Sequence, residues 1–279
     1  MYEILTKEKE PLIKENCFYI GDTSEIYRVD DILYKVYLKK EPFKRHILDY
    51  LIEHYDELRP YSIPPLGKLK IDDKYGMKMR YVDSIDFLTY LRTEKVTPAE
   101  MARIIKILSD NLKPINDLDI HFSDLHHHNI LLRQKDLYPL YIDLDDAVVK
   151  DYGSTHICVM SHRLHNVEKK SYEYEDDLIR YGNLDQECLT LMLLNYIMNK
   201  PMERLSYDDF HREIEKISPY FSQELIQAMI DLKDKDASTI ITPYKHYIGD
   251  YIETDCFVES MQKVKRRVFN ENSSISPNK

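Results

Sequence analysis

The sequence predicts an α+β chain in two lobes, a small β-rich N-lobe followed by a larger helical C-lobe. Three observations predict it. Runs rich in β-branched and aromatic residues fill the stretch up to Val82. Beyond Val82, apolar residues recur at helical spacing. Within that second part, Leu189 to Ile197 is apolar on every side of a helix, the pattern of a helix buried in the middle of a domain.

The strands come first. Phe18 to Ile20, Glu25 to Val29 and Ile32 to Leu38 read as three of them, with Asp30-Asp31 as a tight hairpin turn that has no glycine. From Pro42 the pattern turns helical, with Ile47, Leu48, Leu51, Tyr55 and Leu58 on one face until Pro60, Pro64 and Pro65 stop it. Gly67 to Ile71 and Tyr75 to Val82 form a second strand pair around Asp72-Asp73-Lys74. Met101, Ile104, Ile105, Leu108, Leu112 and Ile115 trace one face of a long helix. Two short β-like pieces follow, Asn129 to Leu132 and Leu140 to Leu144. The polar region from Lys150 to Arg180 has no clear period. The expected domains are 1–82 for the N-lobe, 83–270 for the C-lobe and 271–279 for a disordered tail.

Composition narrows the function. Among 279 residues, 39 Lys and Arg stand against 49 Asp and Glu, a net charge of −10. A general nucleic-acid or anionic-membrane binder draws its affinity from basic surface, so neither partner is expected. No segment has the uninterrupted apolar length a bilayer requires. The four cysteines have no CxxC spacing, and the N-terminal MYEILTKEKE is charged, without the apolar core of a secretory leader. Reduced thiols and a cytoplasmic location are the expectation.

The chemistry gathers between His121 and Asp145. Asp124 precedes Asn129 by five positions, an apolar strand follows, and Asp143 comes fourteen residues after Asn129. Phosphoryl transfer needs such a set: one carboxylate to orient the acceptor hydroxyl, and an amide with a second carboxylate to hold Mg²⁺ on a triphosphate.

Here the chain resembles the protein-kinase-like superfamily, which includes the eukaryotic-like protein kinases and the aminoglycoside and choline kinases. Asp124 to Asn129 is similar to its D-x-x-x-x-N catalytic loop, and Asp143 falls where the family keeps the aspartate of its DFG motif. Four further stretches follow the family's order. Tyr19 to Val29, containing Gly21 and Ser24, resembles the phosphate-covering loop, with one glycine where protein kinases have three. Lys35 stands at the strand-lysine position. Met79 to Val82 resembles the hinge whose backbone reads adenine, with Met79, Arg80 and Val82 as its nucleotide-binding positions. Leu184 to Pro201 resembles the buried central helix, whose Asp185 would anchor the catalytic loop.

The resemblance implies ATP and Mg²⁺ as cofactors in a cleft between the lobes. Asp124 would be catalytic, Asn129 and Asp143 metal ligands, and Lys35 a phosphate clamp. It also has departures. Ser123 replaces the arginine that senses activation-loop phosphate, His126 replaces the catalytic-loop lysine, the DFG motif reads Asp143-Leu144-Asp145, and no APE motif is present. Asp49, Glu53 and Glu57 are the candidates for the helix acid that pairs with the strand lysine. Three functions stay open: a serine/threonine protein kinase, a small-molecule kinase, favoured by His126, and a non-catalytic nucleotide-binding module, favoured by the sparse glycine loop. The acceptor, protein or small molecule, is not named by the sequence.

Overall fold

The computed structural model describes residues 3–4, 15–38, 44–71, 73–122, 125–149, 184–233, 244–253 and 255–274. They fall into two compact units. The described parts of Met1–Phe87 and Asn129–Ser154 form the first, and those of Leu88–His128 and Thr155–Lys279 the second.

In the first unit the strands are β1 (Glu3–Ile4), β2 (Cys17–Ile20), β3 (Ser24–Val29), β4 (Ile32–Tyr37), β5 (Pro65–Ile71) and β6 (Lys74–Arg80). They make one sheet in the order β1-β5-β6-β4-β3-β2. The β3–β4 hairpin turns at Asp30-Asp31 as the sequence suggests. Asp30 sits at a left-handed φ of 52°, which aspartate tolerates because its short side chain can bond locally. β1 lies parallel to β5, with Glu3 opposite Leu69. Two residues are too few to read as a strand from periodicity.

Alternation along the strands gives the sheet two apolar faces. Tyr37, Met77 and Met79 pack on one with Leu48 of helix α1 (Lys44–Glu53), Ile63 and Leu140. Val36, Leu69 and Ile71 pack on the other with Tyr27, Val29 and Tyr34. Burying each such side chain contributes about 1.5–3 kcal/mol. The single helix expected to run to Leu58 is divided at His54, where α2 (Tyr55–Leu58) starts.

A second, antiparallel sheet joins β7 (Ser84–Asp86), β9 (Ile130–Arg133) and β10 (Pro139–Tyr141) in the order β10-β9-β7. Pairing of Ser84 with Arg133 is what places 129–149 in the first unit, although these residues follow a long helix in sequence. Tyr141 is tied in as well: its N–H donates to Tyr61 O (3.0 Å), and its carbonyl accepts from Ile63 N–H (2.9 Å). β10 ends at Tyr141, short of Leu144, because the chain then turns sharply.

The second unit is helical, apart from the short strand β8 (Ile120–His121): α3 (Phe87–Thr93), whose first residue belongs to the other unit, α4 (Pro98–Asn116), α5 (Leu184–Met198), α6 (Tyr207–Ile217), α7 (Gln223–Ile230), α8 (Ile248–Ile252) and α9 (Asp255–Ser274). The strand β11 (Val148–Val149) completes the first unit's set. α4 starts on a capping box. Thr97 Oγ1 accepts from Glu100 N–H (3.2 Å) and Glu100 Oε2 accepts from Thr97 N–H (2.8 Å). α5 is buried along nearly its whole length, as its sequence implies. Its buried Gln186 is satisfied by α4: Ser109 Oγ donates to Gln186 Oε1 (2.7 Å), and Gln186 Nε2 donates to Ser109 O (3.0 Å). Gly249 of α8 donates its N–H to the same Ser109 Oγ (2.9 Å). α9 continues to Ser274, so Glu271 to Ser274 are helical rather than part of the expected disordered tail, since nothing in Glu271-Asn272-Ser273 interrupts a helix; 275–279 lie outside the described residues. Among the described residues no helix is long and apolar enough to cross a membrane.

Candidate active site

Lys35 stands in the middle of β4 with only 3% of its surface exposed. A buried ammonium requires fixed anionic partners. It finds two. Nζ donates to Asp143 Oδ1 (3.1 Å) and to Asp145 Oδ1 (2.9 Å), more than a hundred residues along the chain. Burial pulls the Lys35 pKa down, but the charges of Asp143, Asp145 and Asp146 together outweigh it and hold the lysine above its ordinary range. The neighbouring Tyr37 phenol is raised well above its usual value by burial, and by the Asp145 charge next to it. Its ring lies 5.9 Å from Lys35 Nζ.

The local chain places both carboxylates. After β10 the backbone reverses at Asp143, whose φ of 60° is left-handed, and a single 3₁₀ turn, Leu144–Asp146, follows. The two acids therefore face different surroundings. The Asp143 side chain is 38% exposed, that of Asp145 not at all. Asn129 lies next to this turn across the hairpin, its carbonyl accepting from Ile142 N–H (3.0 Å).

An amide and a carboxylate are hard oxygen donors of the kind Mg²⁺ prefers, and Asp143 has surface to offer one, so the pair fits the ion. Among the described residues no three His, Cys, Asp or Glu side chains gather as a ligand set. A metal held here would complete its shell with phosphate oxygens or water.

Other expected positions surround β4. Gly21 and Ser24 close the β2–β3 loop, Gly21 N–H donating to Ser24 O (2.9 Å). Gly21's own amide is thus engaged within the loop. Met79 is buried, while Arg80 is exposed and ends β6 opposite Ile32. Tyr81 N–H donates to Asp31 O (2.8 Å), and the Arg28 guanidinium lies 3.3 Å from the Tyr81 ring centre. Val82 O accepts from Ser84 Oγ (2.9 Å).

In the second unit, Asp185 at the start of α5 is buried with Oδ2 accepting from Phe122 N–H (3.2 Å) and Asn116 Nδ2 (3.1 Å). Burial pushes its pKa up to about 7 against the two hydrogen bonds, which favour the ionised form. His126 Nδ1 accepts from His128 N–H (3.2 Å), holding the histidine run in a turn. Asp124 and Ser123 lie outside the described residues, as does the polar region of 150–183.

The structure is similar to the crystal structure of the Mycobacterium tuberculosis PknI kinase domain, a double mutant. The TM-score is 0.54 with 13% identity, over 89% of this chain and 94% of that one. The chain has a protein-kinase-like fold. At that identity the fold alone is what the two share. No protein-family model matches the sequence, and no curated protein does either.

Among the described residues no ion pair joins Asp49, Glu53 or Glu57 to Lys35. Of the three candidates, Asp49 on α1 forms an ion pair with Lys68 of β5, not with Lys35. Glu57 lies beside His54 Nδ1 (3.4 Å). One residue in each unit had no sequence motif to announce it. Asn116 closes α4 on the Asp185 carboxylate, and Asp145 meets Lys35; the only trace of the second was the acid in place of a DFG glycine.

Proposed function

We propose that the chain is an ATP- and Mg²⁺-dependent phosphotransferase acting on an alcohol group, a serine/threonine protein kinase of the cytoplasm. The observation that carries the reading is the Lys35–Asp143 ion pair, 3.1 Å across 108 positions of sequence. A strand lysine and a carboxylate set at the turn after a β-hairpin are the two groups needed on either side of a triphosphate. The kinase-like fold is compatible with this reading, and the ion pair carries it.

Each residue then has a role. Lys35 gives its ammonium to phosphate oxygens, and the Gly21–Ser24 loop covers them. Backbone groups of Met79, Arg80 and Val82 read the adenine. Asn129 and Asp143 would hold Mg²⁺, which neutralises charge on the β- and γ-phosphates when bound. Asp124 orients the acceptor hydroxyl and takes its proton. Asp185 fixes Phe122, two positions before Asp124, and so sets where that loop begins. His126 favours a second reading, a small-molecule acceptor, because the family's protein kinases carry a lysine there.

A ligand that binds only the native state, at 100 times its Kd, stabilises it by about 2.7 kcal/mol. A thermal-shift titration is expected to rise with ATP plus Mg²⁺ and less with ATP alone. Asp143→Asn should lose the Mg²⁺-dependent part and keep its fold. No shift at millimolar Mg-ATP, or an unchanged shift in Asp143→Asn, contradicts the reading.

A further inference from the structure

Lys35 and Lys68 both register with Met77 across β6, one on each side. Residues opposite one another on neighbouring strands share a face, so both lysines rise from the face on which α1 packs. Both are buried. Of the two acids on α1, Asp49 reaches Lys68, the lysine nearer the sheet edge, and among the described residues no ion pair joins Glu53 to Lys35. Lys35 receives its carboxylates from the turn after β10 instead.

The two carboxylates are not equivalent. Asp143 is partly exposed and therefore accessible to a metal-bound nucleotide, whereas the Asp145 side chain has no exposed surface. Its Oδ1 is also the nearer to Nζ, at 2.9 Å against 3.1 Å. We propose that Asp145 is the positioning residue for Lys35. It holds the ammonium in place when Asp143 turns to other work, while Asp49 and Lys68 fasten α1 to the sheet as a separate pair. The clamp is then built within one turn and one strand, and its alignment does not depend on where α1 sits. This inference rests on the reading of Lys35 as a phosphate clamp.

Positioning predicts an effect on phosphate recognition and none on the nucleoside. Calorimetry of Mg-ATP and of adenosine on each variant separates the two. A hydrogen bond to a charged group is worth enough for about a tenfold change in affinity. Asp145→Asn is expected to weaken Mg-ATP by that factor and leave adenosine unchanged. Asp49→Asn and Lys68→Met can cost stability, because Lys68 is buried, but the folded fraction of each is expected to bind both ligands within about twofold of wild type, since additivity holds for sites that share no partner.

Asp145→Asn strands a buried lysine and can cost folding, so a double-mutant cycle accompanies it. Lys35→Met should show the same loss for Mg-ATP, and Lys35→Met with Asp145→Asn no further loss, because Asp145 acts through the lysine. A further tenfold loss in the double variant would place Asp145 on the nucleotide or its metal and overturn the proposal. So would an Asp49→Asn loss equal to that of Asp145→Asn. Wild type that binds adenosine but not Mg-ATP would instead overturn the proposed function, and this inference with it.

Discussion

Asp185 carries a carboxylate that folding removes from water, with two N–H donors on Oδ2 and, among the described residues, none on Oδ1. Its folded pKa is pushed up to about 7 from an ordinary value of 3.8. Between those values the native state holds a proton that the unfolded chain has released. Stability therefore falls as pH rises through that window, by at most about 1.4 kcal/mol per pH unit from this group. Asp185→Asn keeps an acceptor for Phe122 and removes the titration. Urea unfolding at pH 4 to 8 should show the variant gaining on wild type as pH rises, and level above 7. Parallel curves for the two proteins would contradict the burial account. At this scale charged or amide groups at a fixed spacing from an apolar strand or helix were legible as candidates: Lys35, Asn129, Asp143 and Asp185. Asp145 and Asn116 were not, because their partners are fixed by tertiary approach and not by spacing along the chain.

Elements were legible where periodicity was long. β3 and β4 match their β-branched and aromatic runs, and α4 matches its helical repeat, which lies along one buried face. β1 and β7, two and three residues long, have no period to read, and each is recruited to its own sheet by pairing alone. β6 also carries a constraint that hydrophobicity does not reveal. A Cβ on Gly76 would strike the carbonyl oxygen of Lys35, so glycine lets β4 and β6 approach at the clamp itself. Gly76→Ala is expected to destabilise by about 1–3 kcal/mol, the usual cost of overpacking, read as a lower denaturant midpoint. Gly67→Ala meets only the end of the Lys78 side chain, with Cε at 3.0 Å, and should cost less. Equal midpoints for the two variants would show that the close approach is not tight.

For the molecule as a whole, the kinase-like fold was legible from order more than from any one motif. Loop, strand lysine, hinge, Asp-to-Asn loop, second aspartate and buried helix follow one another from Tyr19 to Pro201. The division of the chain was less so. Residues 130–141 read as C-lobe by position, yet hydrogen bonding to β7 joins them to the first unit. Strand pairing between distant segments leaves no mark on composition.

The central claim is phosphoryl transfer, and it is tested by following the label from γ-³²P-ATP with Mg²⁺, with protein and small-molecule acceptors, in wild type and Asp124→Asn side by side. Asparagine keeps the shape of Asp124 and removes its charge. A general base contributes around 10²–10⁴-fold in rate, and the residue acts mainly in the transition state. The account predicts turnover by wild type, a loss of that order in Asp124→Asn, and nearly unchanged Mg-ATP affinity. Equal turnover in the two proteins, or wild type that binds Mg-ATP and transfers nothing to any acceptor or to water, would contradict it.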